Sequence, residues 1–190
     1  MSIDALALVS SAVFAIALQT SPRASAEIPS QLPHDPTHAE NAIEWCARHL
    51  ARGELVQALS DCDYAIARNS NSVAALSNRG SVYLIAGEFT RAIVDFDSAI
   101  ALAPTDPDLH FNRGIAYGKL GKSELAIRAY TVAIELRPGF AIAYHNRGYE
   151  YELLSRFDDA LSDYGQAVAA KPDLKPSSLA IERIRRANRR

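Results

Sequence analysis

Residues 107–140 read PDLHFNRGIAYGKLGKSELAIRAYTVAIELRPGF, and their pattern returns 34 residues earlier and 34 residues later. The tripeptide Asn112-Arg113-Gly114 recurs as Asn78-Arg79-Gly80 and as Asn146-Arg147-Gly148. Dividing the chain into blocks 39–72, 73–106, 107–140 and 141–174, the last three agree wherever a packing residue is needed. Position 8 is Gly80, Gly114 and Gly148, and position 11 is Tyr83, Tyr117 and Tyr151. Position 20 is Ala92, Ala126 and Ala160, and position 24 is Phe96, Tyr130 and Tyr164. Position 27 is Ala99, Ala133 and Ala167, and position 32 is Pro104, Pro138 and Pro172.

Each block reads as two short amphipathic helices. In the third, Asp106 is a good N-cap with Pro107 at N1, and Gly121 closes the first helix. The second runs from about Ser123 to Leu136 and stops ahead of Pro138, because the residue before a proline avoids helical geometry. Glycine at position 8 and alanine at 20 and 27 remove bulk, so the two helices of a pair approach closely. The ring at position 24 is expected to fill the wedge between neighbouring pairs. One pair cannot bury its apolar face alone, so the units must stack.

This pattern resembles the tetratricopeptide repeat over residues 39–174. The resemblance implies an all-α, right-handed helical-repeat solenoid of antiparallel helix pairs. One departure is common to the three regular blocks: Arg79, Arg113 and Arg147 stand at position 7, where the family usually has leucine. The first block, 39–72, is degenerate. It keeps Ala58, Ala65 and the turn residue Gly53, but places Cys46, His49, Cys62 and Ser70 at the other shared positions. Terminal repeats are often atypical because one face meets solvent. Beyond Leu174, residues 175–190 predict a basic capping helix, N-capped at Ser177 or Ser178, with Ala180, Ile181, Ile184 and Ala187 on its apolar side. The alternative use of its arginines is docking on an acidic partner or on anionic lipid.

Charge is nearly balanced, 20 basic against 22 acidic residues, which gives no global electrostatic case for nucleic acid. The imbalance is local: Arg183, Arg185, Arg186, Arg189 and Arg190 face a single nearby acid, Glu182. At the other end, residues 5–18 are apolar apart from Ser10 and Ser11, and are followed by Pro22 and Ala24-Ser25-Ala26. That is the outline of a secretory signal peptide, 1–26, although its start carries Asp4 and no base. Export to a periplasm or to the exterior is therefore expected, with an uncleaved membrane anchor as the alternative. Residues 27–38, with Pro29, Pro33 and Pro36, read as a linker. His34 and His38 within it read as solvated, since Pro36 breaks the helix that a shared metal would need and no third ligand is near.

Cys46 and Cys62 occupy positions 8 and 24 of the first block, where they should face one another. Two cysteines behind an export signal suggest a disulfide that staples the hairpin; buried reduced thiols are the other reading.

In tetratricopeptide proteins the first helices line the concave side, and the resemblance implies groove positions 2, 5, 6, 9, 12 and 13. Position 6 carries Asn78, Asn112 and Asn146, whose amides offer both donor and acceptor to the backbone of an extended peptide. Ser77, Phe111 and His145 flank them at position 5, and Ser81, Ile115 and Tyr149 at position 9. Alternatively the asparagines bond to neighbouring repeats or face water. The position 7 arginines are expected to pair with Asp61, Asp95 and Asp163 at position 23, where the third block has Ala129; anion binding is the minority reading. The family's carboxylate clamp for chaperone tails is not reproduced: its places hold Ile43, Ala47, Asn78, Asp108 and Asn112.

No phosphate loop, zinc signature or nucleophile elbow is present. His110, His145, Tyr149 and Glu152 could be imagined as an acid–base set, but nothing supplies an oxyanion hole. The expectation is a monomeric, non-catalytic adaptor without cofactor or metal, whose partner is a protein or peptide, with no nucleic acid and with membrane contact only if the leader is retained. The alternative is a structural scaffold that self-assembles, or sits at a membrane, through the ends of the solenoid and the arginine-rich helix.

Overall fold

A computed structural model describes residues 41–187. The expected signal peptide, linker and linker histidines, as well as Arg189 and Arg190, lie outside the described residues. The described chain is all-α, a helical repeat of the solenoid class, and it divides into two compact units with the boundary after Pro104.

The first unit holds α1 (Ala42–Ala51), α2 (Leu55–Arg68), α3 (Val73–Ala86) and α4 (Phe89–Leu102). Successive helices pair as α1 with α2 and α3 with α4, and α3 also packs on both helices of the preceding pair. The second unit holds α5 (Pro107–Lys119), α6 (Ser123–Leu136), α7 (Ala141–Leu153), α8 (Phe157–Ala170) and α9 (Lys175–Ala187). There α5 pairs with α6 and α7 with α8, α7 packs on both α5 and α6, and α9 packs on α8.

The boundaries follow local chemistry. Asp106 accepts from the Asp108 amide at 2.9 Å and Pro107 sits in the first turn of α5, while Ser72 caps α3 by accepting from the Ala75 amide. Each first helix ends in a residue with positive φ at position 15: Gly53 (74°), Gly87 (82°), Gly121 (69°) and Ser155 (59°). This left-handed residue lets the chain reverse within a few residues. At Gly87 the Glu88 amide reaches back to the Tyr83 carbonyl at 2.8 Å, and at Ser155 the Arg156 amide reaches the Tyr151 carbonyl at 2.8 Å. Glycine adopts that φ freely, whereas serine carries a Cβ that opposes it.

Sequence and structure differ at α9. The helix begins at Lys175, so Ser177 lies within its first turn and is fully buried instead of capping from outside. The Ser177 amide bonds to the Leu174 carbonyl at 3.1 Å. The apolar side of α9, Ala180 and Ile184, closes over Ala160 and Tyr164 of α8, with Tyr151, Leu161 and Ile181 around them. This covers the last pair as a terminal cap should.

Candidate functional site

The repeated residues separate first into those that build the scaffold. A Cβ placed on Gly80 would lie 2.8 Å from the Phe96 ring, on Gly114 2.6 Å from Tyr130, and on Gly148 3.0 Å from Tyr164. The position 24 ring therefore lies over the glycine of its own pair, and it also reaches the element that follows, as expected: Tyr130 meets Asn146, and Tyr164 packs with Ala180 and Ile184. The ring is drawn onto the glycine because the missing side chain leaves a flat backbone surface that only an aromatic face can fill. In the first pair the same two positions hold Cys46 and Cys62, which form a disulfide with Cα atoms 5.2 Å apart. Both are fully buried. The covalent bond takes the place of the ring-on-glycine contact.

The arginines at position 7 hold both their own pair and its predecessor. Arg79 donates Nε and Nη2 to the two carboxylate oxygens of Asp95 at 2.8 and 2.7 Å, and Nη1 to Asp63 of α2 at 2.7 Å. Arg147 grips Asp163 in the same fork at 2.7 and 2.8 Å and reaches Thr131 of α6 at 3.0 Å. Both guanidiniums are held protonated far above any accessible pH, first by their hydrogen bonds to those aspartates. In the first pair Trp45 replaces the arginine, and Asp61 is met instead by His49 Nδ1 at 2.7 Å.

The expected groove residues distribute unevenly. In the first unit Asn78 and Ser77 are half-buried and Ser81 is buried, its hydroxyl donating to the Ser77 carbonyl at 2.9 Å. In the second unit Phe111 is buried against Tyr130 and Phe140, with ring centroids 5.8 and 4.8 Å away. Asn112 and Ile115 are half-buried on α5, and Tyr149 is the most exposed of the set at 49%. The Asn146 amide is hydrogen-bonded to the buried Tyr130 hydroxyl, a link from α7 back to the preceding pair. Among the described residues the Asn78 and Asn112 amides make no such bond, because the position 24 residues that carry a hydroxyl are Tyr130 and Tyr164.

His145 faces α9. Its Nδ1 lies 2.9 Å from the Ser177 hydroxyl and its ring 5.3 Å from that of Tyr164. Burial lowers its pKa, opposed by the nearby Glu152. Glu152 in turn accepts from the Tyr164 hydroxyl at 3.0 Å and from Arg183 Nη2, which lies 2.7 Å from both carboxylate oxygens. The imagined acid–base set is thus distributed over structural contacts, with His110 buried on α5.

One residue escaped the sequence reading. Glu150, at position 10 of the fourth block, is only 4% exposed, where the other regular blocks bury Val82 and Ala116 completely. Its carboxylate reaches past Gly118, on which a Cβ would collide with it. Burial raises its pKa, while a bond from the Ser123 hydroxyl and the charge of Lys119 oppose the rise. Its Oε2 is buried without a partner among the described residues. The signal was a carboxylate in an apolar register column, visible only once position 10 is known to be interior.

No helix among the described residues is long and apolar enough to cross a membrane, and none of their His, Cys, Asp and Glu side chains gather into a metal-binding group.

No curated protein matches the chain. A TPR repeat family model matches residues 80–121 and a tetratricopeptide repeat model matches residues 111–176, so that together they run over about half of the chain. Among solved structures, that of MamA is similar with a TM-score of 0.71 at 20% identity, covering 83% of this chain and 86% of that one. A TPR protein of Thermus thermophilus gives 0.66 at 19% identity, covering 79% and 82%. The second TPR domain of human RPAP3, solved in complex with the HSP70 peptide SGPTIEEVD, gives 0.56 at 27% identity, covering 58% and 92%. With the 34-residue period, the paired helices and the glycine-to-ring contacts, these matches place the chain in the tetratricopeptide repeat family.

Proposed function

We propose that this protein is a non-catalytic interaction module that holds an extended segment of a partner protein along the first helices of its second unit. The observation that carries the reading is the division of labour within the repeat. Position 7 arginines, position 8 glycines and position 24 rings are consumed by packing, while Asn112, Ile115 and Tyr149 stay accessible on the first helices of the second unit. An amide beside an apolar side chain and a phenol suits a peptide: the amide meets its backbone and the other two meet its side chains. The complexed state of the human RPAP3 domain supports the same use of the fold. The residues at the clamp places, among them Ile43, Ala47 and Asp108, lack the cations that hold a chaperone's terminal carboxylate. Asp108 is itself tied to Arg137 at 2.7 Å.

The reading extends to an oxidising compartment. A fully buried disulfide that replaces a packing contact found in the other pairs suits a protein that folds where thiols are oxidised. The test is photo-cross-linking in the native host. A photoreactive residue introduced at Ile115 or Tyr149 should trap a discrete partner. Adducts formed only from a control at the exposed Val94 of α4 would contradict the reading.

A further inference from the structure

Two tethers set α9 alongside α7. Ser177 meets His145 and, about two turns on, Arg183 meets Glu152. The helices therefore run parallel, and α9 stands where the first helix of another repeat would stand. Between the tethered residues of α7, on the same face, lies Tyr149, with Leu153 one turn further; they are 49% and 55% exposed. Along α9 the matching strip is Leu179, Arg183 and Arg186, one turn apart each, with Leu179 64% exposed. An open depression on α9 is lined by Leu179, Glu182, Arg183, Arg186 and Ala187.

We infer that this α7/α9 surface binds an acidic segment of a partner protein in which an apolar side chain alternates with a carboxylate. The inference rests on the peptide-binding reading above and adds the chemistry of the ligand. Tyr149 and Leu153 on α7 and Leu179 on the tethered α9 are exposed apolar side chains that gain by being covered. The charge beside them is cationic. Glu152 and Arg183 offset one another, and along α9 Lys175, Arg185 and Arg186 then stand against Glu182. Arg183 spends only Nη2 on Glu152, so its Nε and Nη1 are available to a second carboxylate, and its side chain is 63% exposed. Spacing selects the pattern. Leu179 and Arg183 are separated by about 6 Å along the helix, and same-face side chains of an extended peptide by about 6.7 Å. An apolar residue and an acid two positions apart therefore meet Leu179 and Arg183 together, and Arg186, one turn on, adds its charge beside the same acid.

The experiment uses the full chain and two fluorescein-labelled 12-residue peptides, one in which leucine and glutamate alternate with serine between them, and one with glutamine for glutamate. Fluorescence anisotropy should show the glutamate peptide binding about tenfold more tightly, with the preference lost in high salt. Arg186→Glu and Leu179→Ala should each weaken it about tenfold. Neither residue carries a tether, so thermal melts should stay unchanged. Equal affinity for the two peptides, or full binding by Arg186→Glu, would overturn the inference. Loss of binding in Asn112→Ala with Ile115→Ala, but not in the α9 variants, would overturn it while leaving the broader reading intact. Failure of both peptides, with partner adducts arising only at Val94, would remove both. Cosedimentation with phosphatidylserine vesicles that Arg186→Glu abolishes would assign the surface to lipid and overturn the peptide ligand.

Discussion

The Arg79 guanidinium joins two helix pairs: it forks onto Asp95 within its own pair and reaches Asp63 of the pair before it. The two contacts differ in worth because their settings differ. Asp95 is 4% exposed at its side chain and Asp63 is 50% exposed. Asp95→Ala, which leaves a partly buried guanidinium half-paired, should cost about 3 kcal/mol. Asp63→Ala should cost under about 1 kcal/mol, since solvent screens that bond. Urea unfolding of the two variants decides the order, and equal losses would show that the arginine holds the preceding pair as strongly as its own.

The disulfide and the ring-on-glycine contact solve the same packing problem. Cys46 and Cys62 are 16 residues apart, as are Gly80 and Phe96. Replacing both cysteines by alanine should destabilise the first pair by about 3 kcal/mol, the chain-entropy value for a loop of this length. Cys46→Gly with Cys62→Phe should recover part of that loss without any covalent bond. Amide hydrogen exchange in α1 and α2 reports it, and protection no better than in the double alanine variant would separate the two contacts.

Ser155 is the non-glycine residue at position 15, with φ of 59°. A Cβ costs about 1–2 kcal/mol in that region, while a glycine adds about 0.5–1 kcal/mol of entropy to the unfolded chain. The net expectation for Ser155→Gly is a gain of about 0.5 kcal/mol, and for Gly87→Ser a loss of similar size. Scanning calorimetry should show melting temperatures moving in opposite directions. Movement in the same direction would mean that side-chain contacts, not backbone conformation, govern this turn.

Glu150 makes stability depend on pH with a defined sign. Its folded pKa lies above the ordinary 4.5 because burial disfavours the charge. The folded chain thus retains a proton that the unfolded chain has released, so this group's contribution is fully present below about pH 4.5 and is lost as pH rises through the raised value. Glu150→Gln, which cannot ionise, should match the wild type near pH 4 and exceed it near pH 8. Thermal melts across that range test it, and a variant less stable at pH 8 would show that the ionised carboxylate is held favourably by Ser123 and Lys119.

The repeat, its helix pairs and the scaffold roles of glycine and arginine were legible because each is fixed by local register. Arg79 and Arg147 found the aspartates at position 23 since both lie on facing helices of one pair. What could not be read depended on the next element along. Asn146 points to Tyr130 only because the previous pair supplies a hydroxyl there, and His145 is covered because α9 begins early enough to bring Ser177 over it. A pattern of one block specifies the block; contacts of its outer faces depend on which residue the neighbour presents. Glu150 was overlooked for the same reason, its Gly118 and Ser123 neighbours lying on the preceding pair.

The central claim is that the accessible face of the first helices of the second unit, and not the packed residues around it, is the binding site. Its most direct measurement is the affinity of the partner trapped at Ile115 or Tyr149, read by calorimetry against Asn112→Ala with Tyr149→Ala and against a Val94→Asp control. The account predicts about a tenfold or greater loss for the first variant at an unchanged melting temperature, and wild-type affinity for the control. Undiminished binding by the Asn112 and Tyr149 variant, with loss at Val94, would contradict it.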